Sequence, residues 1–335
     1  MSSMEDTLKE LEKAIGANDE KQEVTNWIDT GFPNLNKAMS GLHSGGLGFG
    51  RLYEMYGPSS SGKTAIATHI MINAQKMGGT AIFIDFERSF DVGMAEDMGL
   101  STKSPYWIYK TPQTWEKGND IAIKAAKIIR DSKVLTKDAP IIIVLDSIAS
   151  AIPESMYGKS FDELNMNDTT ALARITSTTL KSVASYCFEL DVTGLYLNQV
   201  RTKPGVMYGS AVTTPGGSAM EFFASGRIEL SRTRIVEKVE GADEMIGQTI
   251  RAKVVKSKHT RPFSVAELRM GFNPDGSAFF DEATVLIDYL QKLDIIQTSG
   301  NYVLWNGTKY YKKVLAKKLT SEDKISELRA LIPKD

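Results

Sequence analysis

The sequence predicts an α/β protein built on a mostly parallel, twisted sheet with helices on both faces. Strand-like and helix-like segments alternate between residues 51 and 199. The strand-like segments 81–85 and 141–146 are almost entirely apolar, as expected of parallel strands buried on both faces. A glycine-rich segment at residues 57–64 stands between a strand and a helix, where α/β proteins bind phosphate groups. These three patterns agree on the same fold class.

The expected elements follow in a regular order. Residues 4–15 have Leu8, Leu11 and Ile15 at helical spacing, which predicts an amphipathic helix that docks on a neighbouring copy or packs under the main domain. The expected strands are 51–56, 81–85, 141–146 and 194–199, and the expected helices are 65–77, 115–130 and 171–190. Segments 227–234, 248–258 and 263–270 are expected to extend the sheet as hairpins. A small α/β module follows, with a helix at 283–293, strands within 302–311 and a helix at 321–331.

Composition and charge limit the classes of function. The chain has 335 residues, of which 42% are hydrophobic and 24% charged, which suits a packed protein of about two domains. Its net charge of −1 excludes a uniformly basic protein, although residues 309–318 contain five lysines and no acid. Such a run is either solvated surface or a phosphate-binding face.

Cysteine content and hydropathy limit the compartment. The single cysteine, Cys187, excludes an internal disulfide and a cysteine-based zinc site. No apolar run approaches the ~20 residues that span a bilayer, and the acidic N-terminal segment does not read as an export signal. We therefore expect a cytoplasmic protein without membrane contact.

The strongest motif is G-x-x-x-x-G-K-[ST], the P-loop pattern. It comprises Gly57, Pro58, Ser59, Ser60, Ser61, Gly62, Lys63 and Thr64. The glycines allow successive backbone N–H groups to point at phosphate oxygens, and the following helix adds partial positive charge. Lys63 is expected to reach the terminal phosphates, and the Thr64 hydroxyl to bind Mg²⁺.

Carboxylates are expected to complete this site. Asp146 ends an apolar strand and is the candidate metal ligand beside Thr64, and Ser147 is expected to bond the same cluster. Glu87 follows the strand 81–85, which we expect beside the P-loop strand, and a carboxylate there can orient the attacking water. The spacing alone leaves Glu87 open between that role and an ordinary surface position.

A long loop follows the strand that ends at Gln199, a polar side chain placed to touch a γ-phosphate. The loop spans residues 201–218, with basic and apolar residues at Arg201, Lys203, Val206, Met207 and Tyr208. Backbone charge and base stacking are what single-stranded nucleic acid needs, and a mobile surface loop is the alternative. A second insertion, at 153–170, follows the strand that ends at Asp146.

Six segments together carry a resemblance to a known family. They are GPSSSGKT, FIDFERSFD, IIIVLDS, LNQVRTKPGVMYG, TTPGGSAMEFFAS and RAKVVKSKHTRPF, in that order. Over residues 26–332 the sequence resembles the RecA family of bacterial-type, possibly phage-encoded, homologous recombinases. The resemblance implies a RecA-like P-loop ATPase core that forms helical filaments on single-stranded DNA and pairs it with homologous double-stranded DNA in recombination and repair.

The resemblance also implies site residues. ATP and Mg²⁺ would be bound by the P-loop residues together with Asp91, Asp146, Ser147 and Gln199, and Glu87 would be the catalytic glutamate. Lys256 and Lys258 would reach the ATP of the adjacent subunit. Loops 153–170 and 201–218 would be the two DNA-binding loops, with contacts from Arg174, Arg201, Lys203, Val206, Met207, Tyr208, Gly216 and Gly217.

The implied organisation has three parts. Residues 1–25 would be a helical arm that docks on a neighbouring subunit, 26–280 the ATPase core, and 281–335 a small duplex-binding domain. Met94 stands where the family has a tyrosine that stacks on adenine, and Glu221 stands in place of a lysine near the subunit interface. The sequence ends without the acidic tail that restrains duplex binding in the family, so weaker autoinhibition is expected.

Two other functions remain open at this point. A helicase motor on the same core would form closed rings and unwind duplexes, whereas a recombinase forms open filaments. A non-catalytic regulator would bind ATP without strand exchange, and the full set of Lys63, Thr64, Glu87 and Asp146 argues against it.

Overall fold

The computed structural model describes residues 23–164, 168–202, 212–239 and 241–335, together with Met4, Lys13 and Ala14. The predicted arm helix at 4–15 therefore falls almost wholly outside the described residues. Four predicted DNA-binding residues also lie outside them: Lys203, Val206, Met207 and Tyr208.

The described part of the chain contains sixteen strands. They are β1 (Trp27–Ile28), β2 (Leu47–Gly48), β3 (Leu52–Gly57), β4 (Thr80–Asp85), β5 (Trp107–Lys110), β6 (Ile141–Asp146), β7 (Thr193–Gln199), β8 (Arg201–Thr202), β9 (Val212–Thr213), β10 (Gly226–Val239), β11 (Ala242–Ser257), β12 (Val265–Phe272), β13 (Ala278–Phe280), β14 (Thr298–Ser299), β15 (Tyr302–Trp305) and β16 (Thr308–Tyr311).

Nine α-helices accompany them within the same described ranges. They are α1 (Pro33–Ser40), α2 (Lys63–Lys76), α3 (Val92–Asp97), α4 (Trp115–Ser132), α5 (Ala171–Glu189), α6 (Ala219–Phe223), α7 (Glu282–Lys292), α8 (Lys312–Ser321) and α9 (Ile325–Ala330). A 3₁₀ turn, Ile148–Ser150, follows β6. Among the described residues, no helix combines the length and apolar character that a membrane crossing requires.

A sheet of nine described strands organises the chain. Its order is β13-β12-β11-β10-β3-β7-β6-β4-β5. The strands from β10 to β5 run parallel, whereas β10 to β13 form antiparallel hairpins at the other side. The predicted α/β class, the parallel centre and the hairpin extension are confirmed.

Helices cover both faces of this sheet, as the unbroken apolar strands require. In β4, Phe83 packs on one side with Ile66 and Ile70 of α2. Its neighbours Ile82 and Ile84 pack on the other side, with α4 and α5. This alternation is the two-residue period of a strand, and both of its phases are apolar because each face meets a helix layer.

The expected position of one strand is wrong. Strand β4 does not lie beside the P-loop strand β3, because β7 and β6 separate them in the sheet. A parallel sheet joins its strands by crossovers, so neighbours in sequence need not be neighbours in space. Glu87 nevertheless reaches the site, because the chain turns back after Asp85 along the carboxyl edge, where Phe86 N donates to Asp146 O at 2.6 Å.

The C-terminal module has its own core, formed by α7, α8, α9 and the small sheet β14–β15–β16. The predicted helix 321–331 is wrong in its start: α8 ends at Ser321, and the shorter α9 follows. Leu315 and Leu319 are buried at helical spacing while the lysines around them face outward. Four of the five lysines of the run therefore lie on the outer side of α8, while Lys309 lies on β16, and the charge run obscured the buried leucines of this helix.

Candidate functional site

The P-loop residues form the turn between β3 and the start of α2. Gly62 has a φ of +87°, and a Cβ at this position would come within 2.5 Å of Ile250 Cδ1. Glycine is therefore required here both by its backbone conformation and by space. Because α2 begins at Lys63, its free N–H groups and the positive end of its dipole point into the loop.

Lys63 lies buried beneath this loop. Its Nζ donates to Gly57 O at 3.1 Å and to Pro58 O at 2.9 Å. Burial lowers the pKa of Lys63, against the opposing effect of Asp146 and Glu87. Ser61 Oγ is also buried, with no hydrogen-bond partner within the described residues. A phosphate group would satisfy both the ammonium and this hydroxyl, since buried polar groups are rarely left unpaired.

Thr64 and Asp146 meet directly at the carboxyl edge of the sheet. Thr64 Oγ1 donates to Asp146 Oδ2 at 2.7 Å. Burial raises the pKa of Asp146 to about 6, and the nearby carboxylates Glu87 and Asp85 act in the same direction while Thr64 and Lys63 oppose them. The pair thus lies in a buried position with two further carboxylates and the Lys63 ammonium nearby.

The oxygen ligands of Thr64 and Asp146 suit Mg²⁺ better than they suit a metal ion that is bound by protein side chains alone. No group of three or more His, Cys, Asp or Glu side chains suited to a metal occurs in the described ranges. Mg²⁺ is usually held by one or two carboxylates plus water and substrate phosphates. One hydroxyl and one carboxylate beside a phosphate-binding loop match that pattern.

Glu87 lies at the junction of three chain segments. Its Oε1 accepts hydrogen bonds from Ser147 Oγ at 2.6 Å, Gln199 Nε2 at 3.0 Å and Ser150 Oγ at 3.3 Å. The structure therefore brings together Glu87, Ser147 and Gln199 as the sequence predicted, and adds Ser150. Glu87 is half-buried here rather than an ordinary surface residue.

A cavity of about 620 Å³ opens beside the P-loop. Its walls include Ser60, Gly62 and Thr64 of the loop, and Asp91 and Met94 at the start of α3. Asp91 Oδ1 accepts from Met94 N at 2.9 Å and so caps this helix. The volume and its contact with the P-loop suit the base and sugar of a nucleotide.

The remaining wall of the cavity is largely apolar and rich in methionine. It includes Met98, Met245, Met270, Phe90 and Phe272. Thioether side chains adapt their shape to what they contact and lack the flat surface of an aromatic ring. At Met94 the cavity wall is therefore an adaptable apolar surface rather than a flat ring on which a base could stack.

Lys256 and Lys258 lie apart from the P-loop. Lys256 Nζ donates to the backbone carbonyls of Glu221 at 2.5 Å and Phe222 at 3.1 Å. No hydrogen bond or ion pair of the described residues joins either lysine to the P-loop. Burial lowers the pKa of Lys256, and Lys258 and Arg227 act in the same direction, so the cations crowd one another.

The ends of the two predicted DNA-binding loops pack together. Gly216 and Gly217 have φ values of +87° and +72°. A Cβ on Gly216 would lie 2.9 Å from Ile148 Cγ2, and one on Gly217 would lie 3.2 Å from Ala173 Cβ. The end of loop 201–218 thus contacts the residues that flank loop 153–170 on both sides.

Two predicted basic residues lie at the same edge. Arg201 is exposed at the start of β8, opposite Thr213 of β9, so the described ends of loop 201–218 form a short antiparallel ladder. Arg174 is exposed on α5, next to Ala173.

Comparison with known proteins identifies the family. The family model for the RecA N-terminal domain matches residues 2–276. The chain belongs to the RecA family. It is 34% identical over 313 residues to Protein RecA of Campylobacter hominis, covering 91% of this chain and 83% of that protein. It is 33% identical over 315 residues to Protein RecA of Saccharopolyspora erythraea, with 91% and 83% coverage. It is also 32% identical over 312 residues to Protein RecA of Bifidobacterium longum, with 91% and 72% coverage.

Family membership fixes the class of activity. The chain is an ATP-dependent DNA recombinase of the RecA family, and nucleotide binding follows from that membership. The expected family and class of enzyme are confirmed.

The sequence did not predict a buried polar network in this RecA-family chain. Glu54, fully buried in β3, accepts from Arg227 Nε at 2.6 Å and from Asn198 Nδ2 at 2.9 Å. Burial raises the pKa of Glu54, and Arg227 and Asn198 oppose that shift. Asn198 also donates to Pro215 O at 3.0 Å and accepts from Gln199 N at 2.9 Å. One amide thus joins the start and the end of loop 201–218 to the P-loop strand.

One signal in the sequence pointed to this network. Glu54 is a charged residue inside the otherwise apolar strand β3. A buried carboxylate needs a partner, so such a residue predicts an internal cation. Identifying Arg227 as that cation required the sheet order, because β10 lies beside β3 only in space.

Proposed function

We propose that this chain is a DNA-stimulated ATPase that forms helical filaments on single-stranded DNA and exchanges strands with homologous duplex DNA. The observation that carries the proposal is the division of its phosphate-binding groups. Lys63, Thr64 and Asp146 lie at the carboxyl edge of the sheet, whereas Lys256 and Lys258 lie elsewhere without contact to them among the described residues. A site divided in this way is completed by a second copy.

Residues of the P-loop edge bind the nucleotide. Lys63 Nζ exchanges its hydrogen bonds to the loop carbonyls for contacts with the terminal phosphates of ATP, and the Ser61 hydroxyl donates to a phosphate oxygen. Thr64 and Asp146 hold Mg²⁺, which neutralises charge on the phosphates. Asp91 and Met94 face the base and sugar from the cavity wall.

Glu87 orients the attacking water and accepts its proton. It is half-buried, close to Asp146, and hydrogen-bonded to Ser150 and Gln199, which precede the two predicted DNA loops by three and two residues. A general base must lie within reach of the water at the terminal phosphate, and the carboxyl edge beside the P-loop places Glu87 on that side. Gln199 touches the same carboxylate and begins the second loop, so it can pass the nucleotide state to that loop.

Lys256 and Lys258 act on the nucleotide of the adjacent subunit. Two ammonium groups there would stabilise charge on the transferring phosphate, as an arginine finger does when supplied in trans. Hydrolysis then requires assembly, and a repeated head-to-tail contact that does not close gives a helical filament.

DNA binds along the two loops. Arg174 and Arg201 at the described ends, and Lys203, Val206, Met207, Tyr208, Gly216 and Gly217 within or at the end of the second loop, are the proposed contacts. Backbone charge and stacking would bind single strands without sequence preference. The lysines of α8 supply a separate basic face for duplex DNA.

The test is ATP hydrolysis with and without single-stranded DNA, paired with electron microscopy. Wild-type protein should hydrolyse ATP faster with the strand present, and should coat it as a helix in the presence of a non-hydrolysable ATP analogue. Lys63→Ala should lose nucleotide-dependent activity. Closed rings that unwind duplexes would instead support a helicase motor, and strand exchange by Lys63→Ala would refute the assignment.

A further inference from the structure

We propose that Ser150 is a positioning residue that ties the water-orienting Glu87 to the first DNA-binding loop and restrains hydrolysis until DNA is bound. The inference rests on the proposed function of Glu87. It concerns a hydroxyl on the 3₁₀ turn Ile148–Ser150, three residues before the loop that begins at Pro153.

The geometry around one carboxylate oxygen carries this inference. Glu87 Oε1 accepts three donors: Ser147 Oγ at 2.6 Å, Gln199 Nε2 at 3.0 Å and Ser150 Oγ at 3.3 Å. A carboxylate oxygen has about two lone-pair sites, so these three donors more than fill Oε1 and leave only Oε2 for a water molecule. The carboxylate is therefore held in a resting arrangement by groups that do not belong to the nucleotide.

The three donors come from two chain segments: Ser147 and Ser150 from the turn after β6, and Gln199 from the end of β7. Ser147 follows Asp146 directly and is fully buried. Gln199 ends β7 two residues before the second loop, and Ser150 lies three residues before the first. The segment that leads into each loop thus has a hydrogen bond to Glu87, and Ser150 is the donor nearest to the first loop.

Ser150 is the donor most easily displaced. Its distance of 3.3 Å to Glu87 is longer than the usual 2.7–2.8 Å of an O–H···O bond, and it has an equally long alternative partner in Ser147 Oγ. It is also partly exposed, whereas Ser147 is not. A small movement of the first loop is enough to transfer the Ser150 hydroxyl away from Glu87.

The start of the first loop is held against α4, and the end of the second loop packs on the turn itself. Trp115 N, at the start of α4, donates to Ile152 O at 2.8 Å, and Glu116 Oε2 accepts from Glu154 N at 2.9 Å. The end of the second loop packs on Ile148 of the same turn through Gly216. A strand of DNA that moves the second loop therefore moves the turn that carries Ser150, and the first loop follows that turn directly in the chain.

The experiment compares Ser150→Ala with Ser150→Thr in steady-state ATP hydrolysis, with and without single-stranded DNA. Removing the hydroxyl should raise kcat without DNA about three- to tenfold, the range expected for a typical hydrogen bond, since the 3.3 Å distance makes this one weaker than most bonds to a charged group. The rate at saturating DNA should stay within twofold, so the stimulation ratio falls. The KM for ATP should not change, because Ser150 does not line the nucleotide cavity. Threonine retains the hydroxyl and should restore the wild-type ratio.

A matched control is Ser185→Ala. Ser185 Oγ also donates to a glutamate, Glu189 Oε1 at 2.8 Å, but on the exposed surface of α5. This variant should keep the wild-type ratio. The proposal is overturned if Ser150→Ala leaves the DNA-free rate unchanged or lowers it, or if threonine does not restore the ratio. If the wild-type protein itself shows no DNA stimulation, the proposed function fails rather than this inference.

Discussion

Gln199 donates a 3.0 Å hydrogen bond from its Nε2 to Oε1 of Glu87. The contact joins the start of the second predicted DNA loop to the carboxylate proposed to orient water. The two side chains come from β7 and from the segment after β4, and β6 lies between these strands in the sheet. In the proposed function, ATP hydrolysis and DNA binding therefore share a contact in a single subunit, while completion of the phosphate site depends on a second subunit.

Replacing the Glu87 carboxylate with an amide should abolish turnover and spare nucleotide binding. We expect Glu87→Gln to lower the DNA-stimulated kcat by about 10²–10⁴, the usual contribution of a general base. Binding of a fluorescent ATP analogue should stay within threefold, because Glu87 makes no contact that holds the P-loop. Glu96→Gln, an exposed glutamate on α3, is the control. Turnover within tenfold of wild type would contradict the role of Glu87.

An aromatic side chain at residue 94 should strengthen nucleotide binding. Met94 lines the cavity and is 41% exposed, so a ring placed there can stack on the base. Met94→Tyr should lower the KM for ATP about fivefold, since stacking of a base on an aromatic ring contributes roughly 1–3 kcal/mol. Met77→Tyr is the matched control, because Met77 is equally exposed but lies outside the cavity. An equal KM for both variants would contradict the assignment of the cavity.

The buried pair of Glu54 and Arg227 should matter far more to stability than an exposed pair. Removing one partner of a buried ion pair costs about 3–5 kcal/mol, because the other charge stays buried without compensation. Glu54→Gln should therefore lower the free energy of unfolding in urea by about 3 kcal/mol. Glu237→Gln, which breaks an exposed pair with Lys313, should cost less than about 1 kcal/mol. Equal effects of the two substitutions would show that the Glu54 network adds little.

His69 should make stability depend on pH. Burial lowers the pKa of His69 to about 4, with Lys76 and Arg329 acting in the same direction and Asp29 opposing. The unfolded chain then binds a proton more readily than the folded one. The contribution of His69 to the free energy of unfolding is complete above pH 6.5 and is lost as the pH falls toward 4. The loss amounts to about 3 kcal/mol, because each pKa unit corresponds to about 1.4 kcal/mol. Denaturant unfolding at several pH values should show this loss in wild type, and a smaller one in His69→Gln. Parallel profiles for the two proteins would contradict it.

Much of the fold followed from local pattern. The unbroken apolar run of β6 fixed its boundaries, and the long periodic helix α5 was predicted to within one residue. The order of the strands in the sheet could not be predicted from local pattern, because it depends on crossovers between distant segments. Hence β4 was expected beside β3, although two strands separate them. The helix α8 was missed because its lysines masked the buried spacing of Leu315 and Leu319.

The residues of the candidate site likewise differ in whether the local sequence identifies them. Lys63, Thr64 and Asp146 were predicted because a contiguous motif and the end of an apolar strand identify them. Asn198 and Ser150 have no such local signature, since a polar residue at a strand end or in a short turn is ordinary. Their contacts with Pro215 and Glu87 exist only once the sheet brings distant loops to one edge.

The most direct test of the account is ATP hydrolysis by a mixture of two inactive variants. Lys63→Ala keeps the lysines that act on a neighbour, and the double variant Lys256→Ala/Lys258→Ala keeps the P-loop. Each alone should show little DNA-stimulated hydrolysis. Mixed in equal amounts on single-stranded DNA, they should form some contacts in which an intact P-loop meets intact lysines, so activity should return to about a quarter of the wild-type rate if the copies assemble at random. Hydrolysis by the double lysine variant alone, or a mixture as inactive as its components, would contradict the claim that adjacent copies complete each other's sites.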